Sequence, residues 1–195
     1  MHFEFLVEED SAEVALRNLL PKIIERGSSS YGIRVFQGKQ DLLKKLPDRF
    51  GGYRRSLPDD WLILVLIDRD QEDCVQLKNK LERIAQRAGL NTKSQSSRRA
   101  KVQVLNRLAI EELEAWFFGD VTALHMAYPR ISKNLDKKRN YRDPDAIQGG
   151  TWEALQRVLQ RAGYYPGGLP KKEAARRISF FMDPMRNTSR SFQVL

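Results

Sequence analysis

Trp61-Leu62-Ile63-Leu64-Val65-Leu66-Ile67, followed by Asp68-Arg69-Asp70, is the stretch on which the fold turns. Seven consecutive apolar residues fall far short of the about 20 needed to cross a bilayer. They read as a strand covered on both faces, as the strands of parallel sheets are. Upstream, Phe3–Val7 reads as a first strand, and Asp10 and Ser11 as N-cap residues of a helix. That helix repeats Val14, Leu16, Leu19, Leu20, Ile23 and Ile24 at helical spacing. Ile33–Phe36 reads as a second strand, and Leu42, Leu43 and Leu46 as the inner face of another helix. Pro47–Pro58, with Gly51 and Gly52, reads as a loop. Downstream, residues 73–88 read as a helix with Val75, Leu77, Leu81, Ile84 and Ala85 inward and Gly89 just past its end. Val102–Ala109 is the fourth strand, leading into a helix near Glu111–Phe118. This alternation predicts an α/β fold with a mostly parallel four-stranded sheet flanked by helices. After Asp120 the pattern turns helical and loop-rich, over Thr122–Tyr128, Trp152–Ala162 and Lys172–Met182. The expected organisation is an α/β domain over residues 1–120 with a helical, basic C-terminal extension over 121–195 packed on it.

At 195 residues and 41 % hydrophobic, the chain can bury a core without disulfides. Cys74 is its only cysteine, which predicts a reducing, cytoplasmic setting. Glu4 interrupts the first apolar stretch and no basic segment precedes it, so no signal peptide is expected. The net charge of +9 is unevenly placed. Residues 1–91 hold 15 basic and 15 acidic side chains, whereas residues 92–195 hold 19 and 10. An excess confined to one half predicts a polyanionic partner, most often nucleic acid, DNA or RNA being left open. The candidate contacts are Lys93, Arg98, Arg99 and Lys101, then Lys137, Lys138, Arg139 and Arg142, with Tyr53 and Tyr141 as aromatic neighbours. A solvated basic surface is the alternative.

Acids carry the candidate chemistry. Glu8 ends the first strand, and Asp68 and Asp70 end the third. Open parallel sheets bind ligands outside the carboxyl ends of their strands, so the three converge if strands one and three are neighbours. Acids at i and i+2 on extended backbone point to the same side, offering two oxygens to a divalent cation. Magnesium takes one or two carboxylates plus water and substrate phosphate, and it stabilises charge in phosphoryl transfer. The structural alternative is that Asp70 caps the following helix with Asp73, leaving Asp68 and Glu8 as solvated acids. Glu112 and Glu114 follow the fourth strand and are second-rank candidates for a ligand or base; a solvated helix start is their alternative. One cysteine with only His2 and His125 makes zinc ligation implausible, and no GxxxxGK[ST] run offers a P-loop.

Val7-Glu8 with Glu13, and Asp68-Arg69-Asp70 after an apolar strand, resemble the Toprim pattern of topoisomerases, primases and overcoming-lysogenization-defect nucleases. More closely, the chain resembles domain-of-unknown-function family 4276, a Toprim-like group, over nearly its whole length. The matching stretches include Phe5-Leu6-Val7-Glu8, Glu112-Leu113-Glu114-Ala115-Trp116 with Asp120, and Asp143-Pro144-Asp145. They continue through Thr151-Trp152-Glu153 and Met182-Asp183-Pro184 to Ser191-Phe192. The resemblance implies a Toprim-like, Rossmann-like fold and a Mg2+- or Mn2+-dependent endonuclease. Asp68 and Asp70 would hold the metal, and Glu8 would bind it or act as acid/base. It also implies an ATPase partner and a part in phage defence. The alternative is a non-catalytic module that binds nucleic acid or an ATPase. Glu9 stands where Toprim proteins usually carry glycine.

Overall fold

A computed structural model describes residues 1–24, 27, 29–94 and 100–195. The elements run β1 His2–Val7, α1 Asp10–Ile23, β2 Ser30–Val35, α2 Lys39–Ser56, β3 Trp61–Asp68, α3 Cys74–Arg87 and β4 Val104–Ala109. They continue with α4 Glu114–Phe118, α5 Val121–Ala127, three short 3-10 turns between Leu135 and Ala146, α6 Thr151–Arg161, α7 Lys171–Phe181 and α8 Arg190–Gln193. The four strands form one parallel sheet in the order β2-β1-β3-β4, a Rossmann-like α/β arrangement. Among the described residues no helix is long and apolar enough to cross a membrane.

The chain divides into two compact units, Met1–Asp10 with Glu25–Leu108 and Ser11–Ile24 with Ala109–Leu195. The first holds the sheet with α2 and α3. Its core is continuous from Leu6, Ile63, Val65 and Ile67 on the strands to Leu42, Leu46 and Phe50 on α2 and Leu77, Leu81 and Ala85 on α3. Residues 47–56, expected as a loop, instead continue α2. Proline inside a helix costs about 3 kcal/mol, but Pro47 lies on the exposed face. Leu46 and Phe50 are fully buried, with Tyr53 and Leu57 packed on the same cluster. At about 1.5–3 kcal/mol per buried large side chain, that stripe outweighs the break. Val75, expected inward, is 65 % exposed; it lies about 200° around α3 from the buried Leu77.

One charge lies inside this unit. Glu4 on β1 is buried and accepts from Arg34 Nε and Tyr53 Oη, both at 2.9 Å. Burial pushes its carboxyl up, but hydrogen bonds from Arg34, Tyr53 and His2 outweigh it and hold the group below the usual range. Gly32 stands opposite Glu4 on β2, and a Cβ there would collide with Glu4 Oε2. Tyr53, a candidate for nucleic-acid contact, spends its hydroxyl on this network.

The second unit holds α1 with the C-terminal helices. Lys22 of α1 donates to the carbonyls of Ser179, Phe180 and Met182 at the end of α7, where a cation suits the helix dipole. Asp120, 3 % exposed, caps α5 by accepting from Ala123 N at 3.1 Å. It also accepts from Asp183 N and from Arg186 Nη2, at 2.9 and 3.0 Å. Asp145 gathers the Ser189 and Ser191 hydroxyls and the Arg190 amide. Trp116, fully buried, donates its indole N–H to Ser191 Oγ at 3.0 Å.

Candidate functional site

β1 and β3 run side by side in parallel, with Val7 opposite Leu66, so Glu8 and Asp68 emerge at the same edge of the sheet. The strand order also reverses here. From β1 the chain passes to β2 on one side and then to β3 on the other. Such a switch point opens a crevice outside the strand ends, where open α/β sheets bind ligands. The convergence expected from sequence therefore holds for Glu8 and the residues after β3.

Glu8 is half-buried, and its Oε2 lies 3.4 Å from the Asp68 amide. Burial first, then the charge of Asp70 and to a lesser degree that of Glu9, push its carboxyl up to about 7; Lys39 and the Asp68 N–H work against them. A carboxyl that exchanges its proton near neutrality is suited to general acid–base work. Asp68 is 8 % exposed. Asp70 is not on extended backbone: it follows the strand in a turn with φ +52°, a left-handed conformation that Asp tolerates better than most residues. The expected i, i+2 alignment of Asp68 and Asp70 is thus broken by the turn. Nor does Asp70 cap α3; Asp73 does, accepting from Gln76 N at 2.8 Å.

Lys39 completes the cluster. It is the first residue of α2, which starts after β2 at this same sheet edge. Its ammonium lies 2.5 Å from Asp70 Oδ2 and 3.0 Å from Glu72 Oε1, and it donates to the Arg69 carbonyl. Burial lowers its pKa, but the hydrogen bonds to Asp70 and Glu72 outweigh this and raise it. Sequence reasoning missed Lys39. Its one signal was position, a cation at the start of the helix that follows a strand of the same sheet.

Among the described residues no three His, Cys, Asp or Glu side chains are grouped so as to hold a metal ion. Glu8 and Asp70 do offer hard oxygens close enough to raise the Glu8 pKa, and magnesium needs no more than one or two carboxylates. A metal held here would have at most a carboxylate pair for protein ligands, not a three-carboxylate cage.

The family model for the Domain of unknown function (DUF4276) matches residues 7–195. The chain belongs to this family. No curated protein and no solved structure matches it.

Several of the acids in the DUF4276-like stretches serve the scaffold. Glu112 is no solvated helix start: its Oε2 accepts from Trp152 N at 2.7 Å and Thr151 Oγ1 at 3.1 Å, satisfying the first turn of α6. Glu114 is 1 % exposed at the start of α4. Both belong to the second unit, whereas Glu8, Asp68 and Asp70 belong to the first. Lys93 and Lys101 are exposed in the first unit, and Lys101 lies 3.8 Å from Asp59. Arg98 and Arg99 lie outside the described residues. Lys137, Lys138, Arg139 and Arg142 are exposed on or beside the 3-10 turns of the second unit.

Proposed function

We propose that this DUF4276 protein carries out metal-dependent phosphodiester chemistry on nucleic acid, as a Toprim-like endonuclease. The observation that carries the reading is the set Glu8, Asp68 and Asp70 at the β1/β3 switch point, with the Glu8 carboxyl held near 7. Asp70 would hold magnesium or manganese with Asp68 beside it, and Glu8 would either join them as a ligand or stay off the metal as the acid–base group. Bound there, the ion would stabilise charge developing on the phosphodiester. Glu8 near neutrality is matched to taking a proton from an attacking water or returning one to a leaving oxygen. Lys39 balances Asp70 and Glu72, which keeps the acidic edge from repelling a phosphate outright. A cytoplasmic location, an ATPase partner and a part in phage defence belong to the same proposal.

The non-catalytic reading has one observation in its favour. Lys39 already lies between Asp70 and Glu72, so these carboxylates have a counter-cation of their own. Incubation of the protein with magnesium or manganese and with plasmid DNA, single-stranded DNA or RNA separates the two. Cleavage is expected, and Glu8→Gln and Asp70→Asn should each lower it about 100-fold or more, the scale of a lost acid–base group. Wild-type rates in both variants would overturn the site. Absence of cleavage together with absence of manganese binding by calorimetry would establish the non-catalytic module.

A further inference from the structure

The second unit holds a cavity of about 520 Å³ whose wall carries four arginines: Arg139, Arg142, Arg157 and Arg161. Arg157 and Arg161 stand four residues apart on α6 and so share a helix face, a pairing of like charges that destabilises a helix. Arg139 and Arg142 come from the turn opposite. Among the described residues none of the four guanidiniums has a carboxylate within ion-pair distance. The one acid in the wall, Asp143, uses Oδ1 to accept from the Asp145 amide in its own turn. Four cations against one carboxylate leave a net positive wall that is short of an anionic ligand. Guanidiniums favour phosphate in this role because their fork of N–H donors matches its oxygens.

Size and continuity narrow the ligand. The volume is that of a small-molecule cleft, about 300–1,000 Å³, and suits one nucleotide. A closed duplex keeps its bases paired inside and could bring only its backbone to the mouth. Tyr141, in the wall, stacks parallel on Phe118 at 5.4 Å between ring centres and so is a fixed aromatic surface. A second cavity of about 200 Å³ shares Tyr141 and Arg161 and adds Lys138 and Arg130. Positive charge thus runs on past the reach of a single nucleotide, which favours a strand over a free nucleotide.

We propose that the arginine-lined cavity seats one nucleotide of a single-stranded nucleic acid. The phosphate lies among the guanidiniums of Arg139, Arg142, Arg157 and Arg161, and the base lies against Tyr141. The next phosphates follow the charge toward Lys138. The proposal rests on the nucleic-acid reading above and names its substrate class as a single strand or a frayed end.

The test is fluorescence anisotropy with a short labelled single strand, as DNA and as RNA, and with the matching duplex, in chelator so that no cleavage intervenes. The single strand should bind about ten-fold or more tighter than the duplex. Replacing Arg157 and Arg161 together by glutamine should weaken it about ten-fold and flatten the log-affinity against log-salt line by up to about 0.7, the share of the one phosphate seated in the cavity. ATP or pyrophosphate should displace the strand only at concentrations well above the strand's own Kd, because either reaches the cavity but not the charge beyond it. If thermal melting shows that the α6 variant is damaged, Arg139→Gln with Arg142→Gln reads the same cavity from its other wall. Unchanged affinity in an intact double variant, equal binding of duplex, or displacement by pyrophosphate at concentrations no higher than the strand's Kd would each overturn the proposal, the last in favour of a small phosphate ligand. Strand binding in chelator with no cleavage once magnesium or manganese is supplied would overturn the nuclease reading alone.

Discussion

The candidate-site carboxylates of the first unit and the motif carboxylates of the second do opposite work. At the sheet edge of the first, the charge of Asp70 raises the cost of ionising Glu8, with Lys39 as partial compensation. In the second, Glu112, Asp120 and Asp145 accept hydrogen bonds from backbone amides and hydroxyls of segments far away in sequence. A motif acid therefore says little by itself. Acids whose lone pairs are filled by the chain hold the fold, whereas acids that face each other hold an electrostatic tension that a ligand can relieve.

The contrast can be broken most directly at Asp120. Asp120→Ala strips partners from two backbone amides and the Arg186 guanidinium at a buried position. Urea unfolding should register a loss of about 2–4 kcal/mol, from two amides left without their acceptor; a loss below about 1 kcal/mol would refute the scaffold role. At Glu8 the sign reverses. Its folded pKa of about 7 lies above the ordinary 4.5, so between these values the unfolded chain has ionised while the folded one still holds its proton. Stability attributable to Glu8 therefore falls as pH rises from 4.5 through 7, and the penalty vanishes below 4.5. In chelator, Glu8→Gln should be more stable than wild type at pH 8 by up to about 3 kcal/mol, a ceiling because the group is part-exposed, and equal to it near pH 4. Glu112→Ala should cost about 1 kcal/mol, as removal of a helix cap does, visible as a lowered thermal midpoint. The smallest effect is expected at Asp70, half exposed. Asp70→Ala removes the Lys39 pair but relieves Glu8, and calorimetric stability should stay within about 0.5 kcal/mol of wild type. A larger drop would place Asp70 with the scaffold acids.

The sheet was legible because its signal is local. β3 is an unbroken apolar run and the others are short stretches rich in β-branched, aromatic and leucine residues, and the observed bounds of β1, β2, β3 and β4 lie within about three residues of those read from sequence. The reach of α2 was not legible, because Pro47, Gly51 and Gly52 are local breakers while the burial of Phe50 that overrides them is tertiary. For the candidate site, Glu8, Asp68 and Asp70 stood out by position after strands. Lys39 did not, since it meets Asp70 across 31 residues of chain and only the sheet order brings them together. Arg157 and Arg161 were invisible for a related reason. They lie outside the dense basic runs, and an arginine with a carboxylate partner looks the same in sequence as one without.

Gly32 has a consequence for how the sheet assembles. Among the described residues β2 is an edge strand, paired with β1 alone, and a parallel edge strand is free to slide during folding unless something stops it. Sliding by one residue would bring Tyr31 or Ile33 opposite Glu4, into space that the Glu4 carboxylate fills and only a glycine leaves clear. Glu4 and Gly32 therefore act as a key and its notch, rejecting the wrong alignment sterically where burial alone would discriminate poorly. A side chain at position 32 should show itself first as slow, heterogeneous refolding, before it shows as any change at the far end of the strand.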